Sequence, residues 1–133
     1  MQLTVGGIIQ FECTFTKEDV ALFTQISKDE GNHHTSEDEL GRHVVQGLLT
    51  ATLPTKIGGD YNVLARTMNI EFMRPVFTGD TITCLVTIEQ LDQIKNDRTA
   101  ITASFSCQNQ HVKEVLSGSF AGVILPEDEA TDK

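Results

Sequence analysis

The feature that most constrains the fold of this chain is a nearly uncharged segment, VVQGLLTATLPTK, from Val44 to Lys56. Its apolar residues leave no fully polar helical face, and a helix of that kind is normally buried on most of its sides. Pro54 has no amide proton for a helical hydrogen bond, so we expect it to kink or end the helix, and Gly58 and Gly59 to end it in any case. The segment predicts one long buried helix that the rest of the chain must cover.

The sequence after this helix is typical of strands. Alternation of apolar and polar residues predicts four of them, at about Val63 to Arg74, Asp80 to Leu91, Arg98 to Asn109 and His111 to Leu125. Short, turn-rich connections predict that the last three form an antiparallel meander. The residues expected to face the core from the second strand are Ile82, Cys84, Val86 and Ile88. Together, helix and strands predict an α+β domain whose sheet curls around the helix.

Two elements and a loop precede the helix. Apolar residues alternate from Ile8 to Phe15, which predicts a half-buried strand. A helix is expected from about Lys17 to Ser27, because Thr16 can cap its first turn and apolar residues follow at helical spacing. The polar stretch from Lys28 to Gly41 has five acids, one Lys and no periodicity. We expect an exposed loop there, where functional residues are often found.

Length and charge narrow the functional classes. With 133 residues the chain is expected to form a single domain, residues 1–125, followed by an acidic disordered tail, residues 126–133. Ten Lys and Arg against nineteen Asp and Glu give a net charge of −9, which would repel nucleic-acid phosphates and anionic lipids. No apolar run approaches the roughly 20 residues that span a bilayer, and the first residues lack a leader pattern. We therefore expect a cytoplasmic protein without nucleic-acid or membrane partners.

The three cysteines are Cys13, Cys84 and Cys107. They are odd in number, far apart and without CxxC spacing, so neither a disulfide framework nor a cysteine zinc site is expected. Each lies in strand-like sequence among apolar neighbours, which favours core packing over a nucleophilic role.

Titratable residues concentrate in the polar loop. Three of the four histidines lie within or just after it, at His33, His34 and His43. Imidazole and carboxylate could hold a metal, but adjacent His33 and His34 point in opposite directions in an extended chain, and no HxH or HxxxH pair exists. A carboxylate beside an imidazole could instead act as an acid and base pair on a water. A solvated loop without a chemical role remains the other interpretation.

The order of parts around this loop resembles the MaoC-like hydratases, the family of (R)-specific enoyl-CoA hydratases, from about Phe15 to Ile124. In SKDEGNHH, Asp29 lies five residues before His34, as do the catalytic Asp and His in the family loop that reads roughly SGDxNPxH. VVQGLL resembles the family segment VHGML, with Gly47 at its glycine, and FMRPVFTGD resembles FxxPVxxGD. The stretch between His34 and Gly47 is shorter than in the family. The resemblance implies the hot-dog fold, a curved antiparallel β-sheet wrapped around a long central α-helix.

The resemblance also implies roles for individual residues. Asp29 would be the base, and His34 would hold the same water and pass a proton to the α-carbon. The N–H of Gly47 would donate to the thioester oxygen, where enolate charge develops. The residues expected to bind substrate are Asn32, Thr55, Arg42 and Arg66. The two arginines are included because the anionic carrier of the acyl group needs a local basic patch on a chain of charge −9.

The leading hypothesis is a lyase, an (R)-specific enoyl-CoA hydratase or 3-hydroxyacyl dehydratase of fatty-acid metabolism. It would interconvert trans-2-enoyl and (R)-3-hydroxyacyl thioesters of CoA or acyl carrier protein (ACP), without cofactor or metal. A hot-dog acyl-CoA thioesterase is one alternative, although such enzymes generally use an acid on or near the central helix, and VVQGLLTATLPTK has none. A non-catalytic acyl-thioester-binding module is the other. Pairing of sheet edges predicts a homodimer or higher homo-oligomer, with a site built by two chains.

Overall fold

A computed structural model of the chain describes residues 2–126. The elements in chain order are β1 (Ile8–Thr14), α1 (Lys17–Ser27), α2 (Asn32–Thr35), α3 (Gly47–Thr50), α4 (Lys56–Tyr61), β2 (Val63–Phe72), β3 (Thr81–Gln93), β4 (Thr99–Gln108) and β5 (Glu114–Ile124). Apart from its first residue, the acidic tail predicted at 126–133 lies outside the described residues. Within residues 2–126, no helix is long and apolar enough to cross a membrane.

The five strands form one antiparallel sheet in the order β1-β3-β4-β5-β2. The strands β3, β4 and β5 are neighbours in sequence and in the sheet, so the predicted meander is confirmed. Strands β1 and β2 occupy the two edges. The predicted α+β class is confirmed as well.

The centre of the sheet supplies much of the core. The four residues predicted to face inward from β3 are buried: Ile82, Cys84, Val86 and Ile88. Cys84 lies directly opposite Cys107 of β4, and both are fully buried. A hydrogen bond with Cys107, together with burial, raises the pKa of the Cys84 thiol. These two cysteines therefore pack in the core, as expected, and are poor nucleophiles.

Helix α1 has the predicted bounds, and its first turn explains them. The side chain of Thr16 accepts the N–H of Asp19 at 3.1 Å, while the Asp19 carboxylate accepts the N–H of Thr16 at 2.9 Å. This reciprocal capping box fixes the start of the helix. Lys28, in the left-handed region at φ 63°, ends it.

The central helical segment differs from the continuous helix predicted from Val44 to Lys56. Val44 and Val45 are not helical: Val44 bridges Phe77, and the N–H of Val45 donates to the carbonyl of Val76 at 2.7 Å. Helix α3 begins only at Gly47 and has four residues. A short run of apolar residues does not distinguish a buried extended segment from a buried helix. The prediction therefore placed the start of the helix too early.

The end of the segment also differs from the prediction. Turns occupy residues 51–55, around the buried Pro54, and the chain becomes helical again in α4. Gly58 and Gly59 lie inside α4, which ends at Asn62 in the left-handed region with φ 57°. The prediction that these two glycines end the helix is therefore wrong, because Asn62 in the left-handed conformation provides the terminus instead. The segment still packs in the core, where Ile57 is fully buried.

Candidate active site

His34 is the most enclosed residue of the polar loop. The loop folds locally into the single turn α2, and the His34 side chain is only 6% exposed. Its Nδ1 lies 2.6 Å from the carbonyl oxygen of Val44, and the N–H of Val44 donates to the carbonyl of His33 at 2.8 Å. Two main-chain groups of one residue therefore hold the histidine turn in place.

Asp29 contacts the other side of the His34 ring. Its Oδ2 lies 3.4 Å from Nε2 of His34, and the Asp29 side chain is about half exposed. The loop positions this carboxylate locally: the N–H of Asp29 donates to Oγ of Ser27 at 3.0 Å, and the N–H of Gly31 donates to Oδ1 of Asp29 at 3.4 Å. The structure thus brings together the two residues that the five-residue spacing singled out.

A pocket of about 330 Å³ lies beside His34, whereas Asp29, which contacts His34, is not among the residues that line it. Its polar lining consists of His33, His34, Gly47, Thr50 and Arg74, and its apolar lining includes Phe72, Val76, Val115 and Leu116. The lining residues come from α2, α3, the end of β2 and the start of β5. A concave, mainly apolar site with few polar groups is typical of small-molecule binding.

The ring of His33 does not point away from the ring of His34, as it would in an extended chain. Because residues 32–35 are helical, the rings of His33 and His34 lie side by side, with centroids 3.8 Å apart and planes tilted by 51°. Both line the pocket, so the expectation that they point in opposite directions is wrong. His33 is exposed, whereas His34 is buried and contacts Asp29.

Gly47 lies at the start of α3 and under an aromatic ring. A Cβ at this position would lie 2.8 Å from Cε1 of Phe72, closer than side-chain atoms normally approach. The missing side chain therefore lets Phe72 close over the pocket wall. Phe72 is the first residue of the family-like segment FMRPVFTGD, but the resemblance gave it no role in the site.

Two predicted substrate-binding residues, Thr55 and Asn32, do not line this pocket. The Thr55 hydroxyl donates to the carbonyl of Thr52 at 2.5 Å, within the turns that break the helical segment. Asn32 is exposed at the start of α2, where its carbonyl accepts the N–H of Ser36. The geometry gives neither residue a direct role beside His34.

The two predicted arginines also lie elsewhere. Arg42 pairs with Asp38 at 2.9 Å and stacks over the ring of Phe77, 3.9 Å from its centroid. Hydrogen bonds from the backbone and side chain of Arg42 lower the pKa of the Asp38 carboxyl. Arg66 is exposed on the edge strand β2. Arg74 is the arginine that lines the pocket, where it donates to the carbonyl of Glu114 at 2.6 Å.

Known proteins share both the fold and part of the sequence. The profile of the Thioesterase superfamily matches residues 41–93. The mitochondrial 3-hydroxyacyl-(acyl-carrier-protein) dehydratase of Arabidopsis thaliana is 25% identical over 131 residues, which cover 93% of this chain and 78% of that protein.

Two solved structures extend the comparison. The (R)-hydratase from A. caviae involved in PHA biosynthesis is 25% identical, with a TM-score of 0.78 over 93% of this chain and 98% of that one. The MaoC-like dehydratase from Rhodospirillum rubrum is 16% identical, with a TM-score of 0.74 over 94% of each chain. The resemblance noted from the sequence is thereby confirmed. The chain therefore has the hot-dog fold, and its structural neighbours include (R)-hydratases and MaoC-like dehydratases.

Proposed function

We propose that this chain is a hydratase or dehydratase that interconverts trans-2-enoyl and (R)-3-hydroxyacyl thioesters of CoA or ACP. The observation that carries the proposal is the contact between Asp29 and His34, 3.4 Å apart beside a largely apolar pocket. Addition of water to a conjugated double bond needs a base for the water and an acid for the α-carbon, and this pair can supply both. Similarity to an (R)-hydratase and to a dehydratase supports the same reaction.

The hydrogen bonds of His34 define how its ring can act. A carbonyl oxygen only accepts hydrogen bonds, so Nδ1, which lies 2.6 Å from the oxygen of Val44, carries a proton. Nε2 then faces the carboxylate of Asp29, and two acceptors 3.4 Å apart can share a proton directly, whereas a water bound to both would lie to one side of them. The pair is therefore arranged to hold one exchangeable proton or one water.

The reaction follows from that arrangement. In hydration, Asp29 takes a proton from a water as its oxygen bonds to the β-carbon, and the π electrons move to the thioester oxygen. Protonated His34 then gives its Nε2 proton to the α-carbon, which restores the thioester carbonyl. The proton on Asp29 returns to His34, so the pair ends as it began. Dehydration runs through the same steps in reverse.

The enolate oxygen needs a hydrogen-bond donor, and we assign that role to the N–H of Gly47. As the first residue of α3, Gly47 has an amide that no helical carbonyl accepts. The residue lines the pocket, so a bound thioester could reach this amide, while the space of the missing side chain is taken by the Phe72 ring. Since α3 has only four residues, the amide itself, rather than a helix dipole, would provide the stabilisation.

The thioesterase alternative has less support at this site. No Asp or Glu lies between Val44 and Ile57, and the first acid beyond them, Asp60, pairs with Lys56 at 2.6 Å on α4. A thioesterase mechanism that uses a carboxylate on the central helix would therefore lack its acid.

An assay on the wild-type protein tests the proposal. We expect crotonyl-CoA to lose its enoyl absorbance as water adds, with no release of free CoA thiol in a parallel thiol assay. Thiol release would support the thioesterase alternative instead. Binding of crotonyl-CoA without either reaction would support a non-catalytic binding module.

We further propose that the working form is a homodimer joined at β2. This strand is an edge of the sheet and carries exposed apolar residues: Leu64 is 51% exposed and Phe72 is 54% exposed. An exposed edge with apolar side chains is a site for pairing with a second chain. Because Phe72 also lines the pocket, a partner at this edge would lie close to the pocket mouth.

A charge at this edge tests the dimer. Leu64→Lys is expected to give monomers with strongly reduced hydration, measured by sedimentation and by the crotonyl-CoA assay, because a lysine on an edge strand opposes edge pairing. Leu22→Lys is the matched control, since Leu22 is 59% exposed on α1, away from β2. Monomers that remain fully active would contradict the proposal.

A further inference from the structure

Thr50 is a pocket residue that the mechanism above does not use. It is 2% exposed, lines the pocket together with Gly47 and His34, and ends α3. Its hydroxyl oxygen is buried, yet it makes no hydrogen bond with any of the described residues 2–126. A buried polar group without a partner destabilises a folded protein, so its presence in a pocket wall needs an explanation.

A comparison with Thr24 shows what Thr50 does not do. A threonine in a helix usually donates its hydroxyl to the carbonyl four residues earlier, as Thr24 does to Val20 at 2.8 Å. The corresponding carbonyl for Thr50 is that of Gln46, which accepts the N–H of Thr50 at 3.1 Å but not its hydroxyl. The hydroxyl of Thr50 therefore has no acceptor among the described residues 2–126, although the residue lines the pocket.

Thr50 and Gly47 are expected to share one face of α3. Residues three apart lie on the same face of a helix, and both of these residues line the pocket. Side chains on a helix lean toward its N-terminus, so the side chain of Thr50 leans toward Gly47. A substrate oxygen near Gly47 would therefore lie on the side to which Thr50 points.

We propose that the Thr50 hydroxyl donates a hydrogen bond to the carbonyl oxygen of the bound acyl thioester, an inference that rests on the proposed hydratase function. As the double bond takes up water, negative charge grows on that oxygen and the hydrogen bond strengthens. Because the hydrogen bond is already present in the bound substrate and strengthens during the reaction, the loss of this donor should lower kcat strongly and weaken ground-state binding to a smaller extent.

The test uses two variants of the full chain. Thr50→Val keeps the shape and removes the hydroxyl, whereas Thr50→Ser keeps the hydroxyl and removes a methyl group. We expect Thr50→Val to hydrate crotonyl-CoA about tenfold to hundredfold more slowly than wild type, and Thr50→Ser to stay within about threefold. Because the hydroxyl has no partner in the fold, the Tm of Thr50→Val should be equal to or above that of wild type.

The outcomes separate this inference from the proposed function. An active wild type with an equally active Thr50→Val would overturn the role of Thr50 alone, as would equal losses in both variants or a lower Tm for Thr50→Val. If wild type does not hydrate crotonyl-CoA, the proposed function fails. Binding of the unreactive butyryl-CoA then decides about Thr50: weaker binding by Thr50→Val than by Thr50→Ser supports the contact, and equal binding overturns it.

Discussion

Asp29→Asn and His34→Asn are each expected to lower the rate of crotonyl-CoA hydration by about 10²-fold to 10⁴-fold, the usual loss when a positioned acid or base is removed. Asparagine at position 29 keeps the shape of the carboxylate but cannot take a proton. At position 34 its amide nitrogen can still donate to the carbonyl of Val44, as Nδ1 does now, while the group corresponding to Nε2 is lost. His34→Ala would also remove this anchor from a buried residue, so it tests catalysis less cleanly.

A variant with both substitutions tests whether Asp29 and His34 act in the same step. If Asp29 and His34 act on one water, most of the rate is lost with either group, and the double variant should be little slower than the slower single variant. Losses that multiply would contradict a shared step. Circular dichroism and thermal unfolding of each variant would show whether the fold is retained.

His33→Ala is the control for the substitutions at Asp29 and His34. His33 also lines the pocket, but it is exposed, and the contact with Asp29 is made by His34. We expect a smaller loss of rate than in His34→Asn. An equal loss would mean that the two histidines exchange roles, and wild-type rates in all three single variants would remove the hydratase mechanism.

Gly118→Ala is expected to destabilise the fold by about 3 kcal/mol or more, a decrease in Tm of about 10 °C. Gly118 lies in β5, where the backbone oxygen of Asn69 in β2 occupies the space that a Cβ would need. The ring of Phe105 limits movement on the other side, since its Cζ would lie 2.8 Å from that Cβ. Within the described residues 2–126, β5 is the one strand that pairs with β2, so the overlap should displace the edge strand from its partner.

Gly59→Ala is the matched control for the loss of a glycine. Gly59 lies inside α4, and a Cβ there would meet no atom within 4 Å. Alanine in a helix interior is favoured over glycine by roughly 0.5–1 kcal/mol, so this variant should melt slightly above wild type. Thermal and urea unfolding of both variants would measure the contrast. A Tm for Gly118→Ala close to that of wild type would show that β2 adapts to the extra carbon.

Helices and strands that depend on residues nearby in sequence were predictable. The start of α1 follows from the capping box of Thr16 and Asp19, two residues that lie close together in sequence at the N-terminus of the helix. The strands followed from alternation, because a sheet with one buried face imposes period 2 on its residues. The pairing of β2 with β5 was not predictable, since nothing local to either strand specifies a partner across the chain.

The central segment and the pocket wall depend on contacts distant in sequence. Val44 and Val45 are extended because residues around Phe77 supply their hydrogen bonds, and no pattern within VVQGLL indicates this. The pairing of Asp29 with His34 was predicted from the family resemblance and from the position of the loop between two helices, because the five-residue spacing alone is weak evidence. Phe72 and Thr50 reach the same pocket only through the tertiary fold, so sequence spacing did not reveal them.

Val44 joins the histidine turn to the body of the domain through its own amide and carbonyl, which bond to His33 and His34. Both attachments use main-chain atoms, so a change of side chain at this position leaves them in place. The chain between Thr35 and His43 starts and ends at fixed points and can gain or lose residues without moving the imidazole. A change in the length of this stretch is therefore expected to leave the distance between Asp29 and His34 unchanged. The length of the loop and the geometry of the pair can vary separately here.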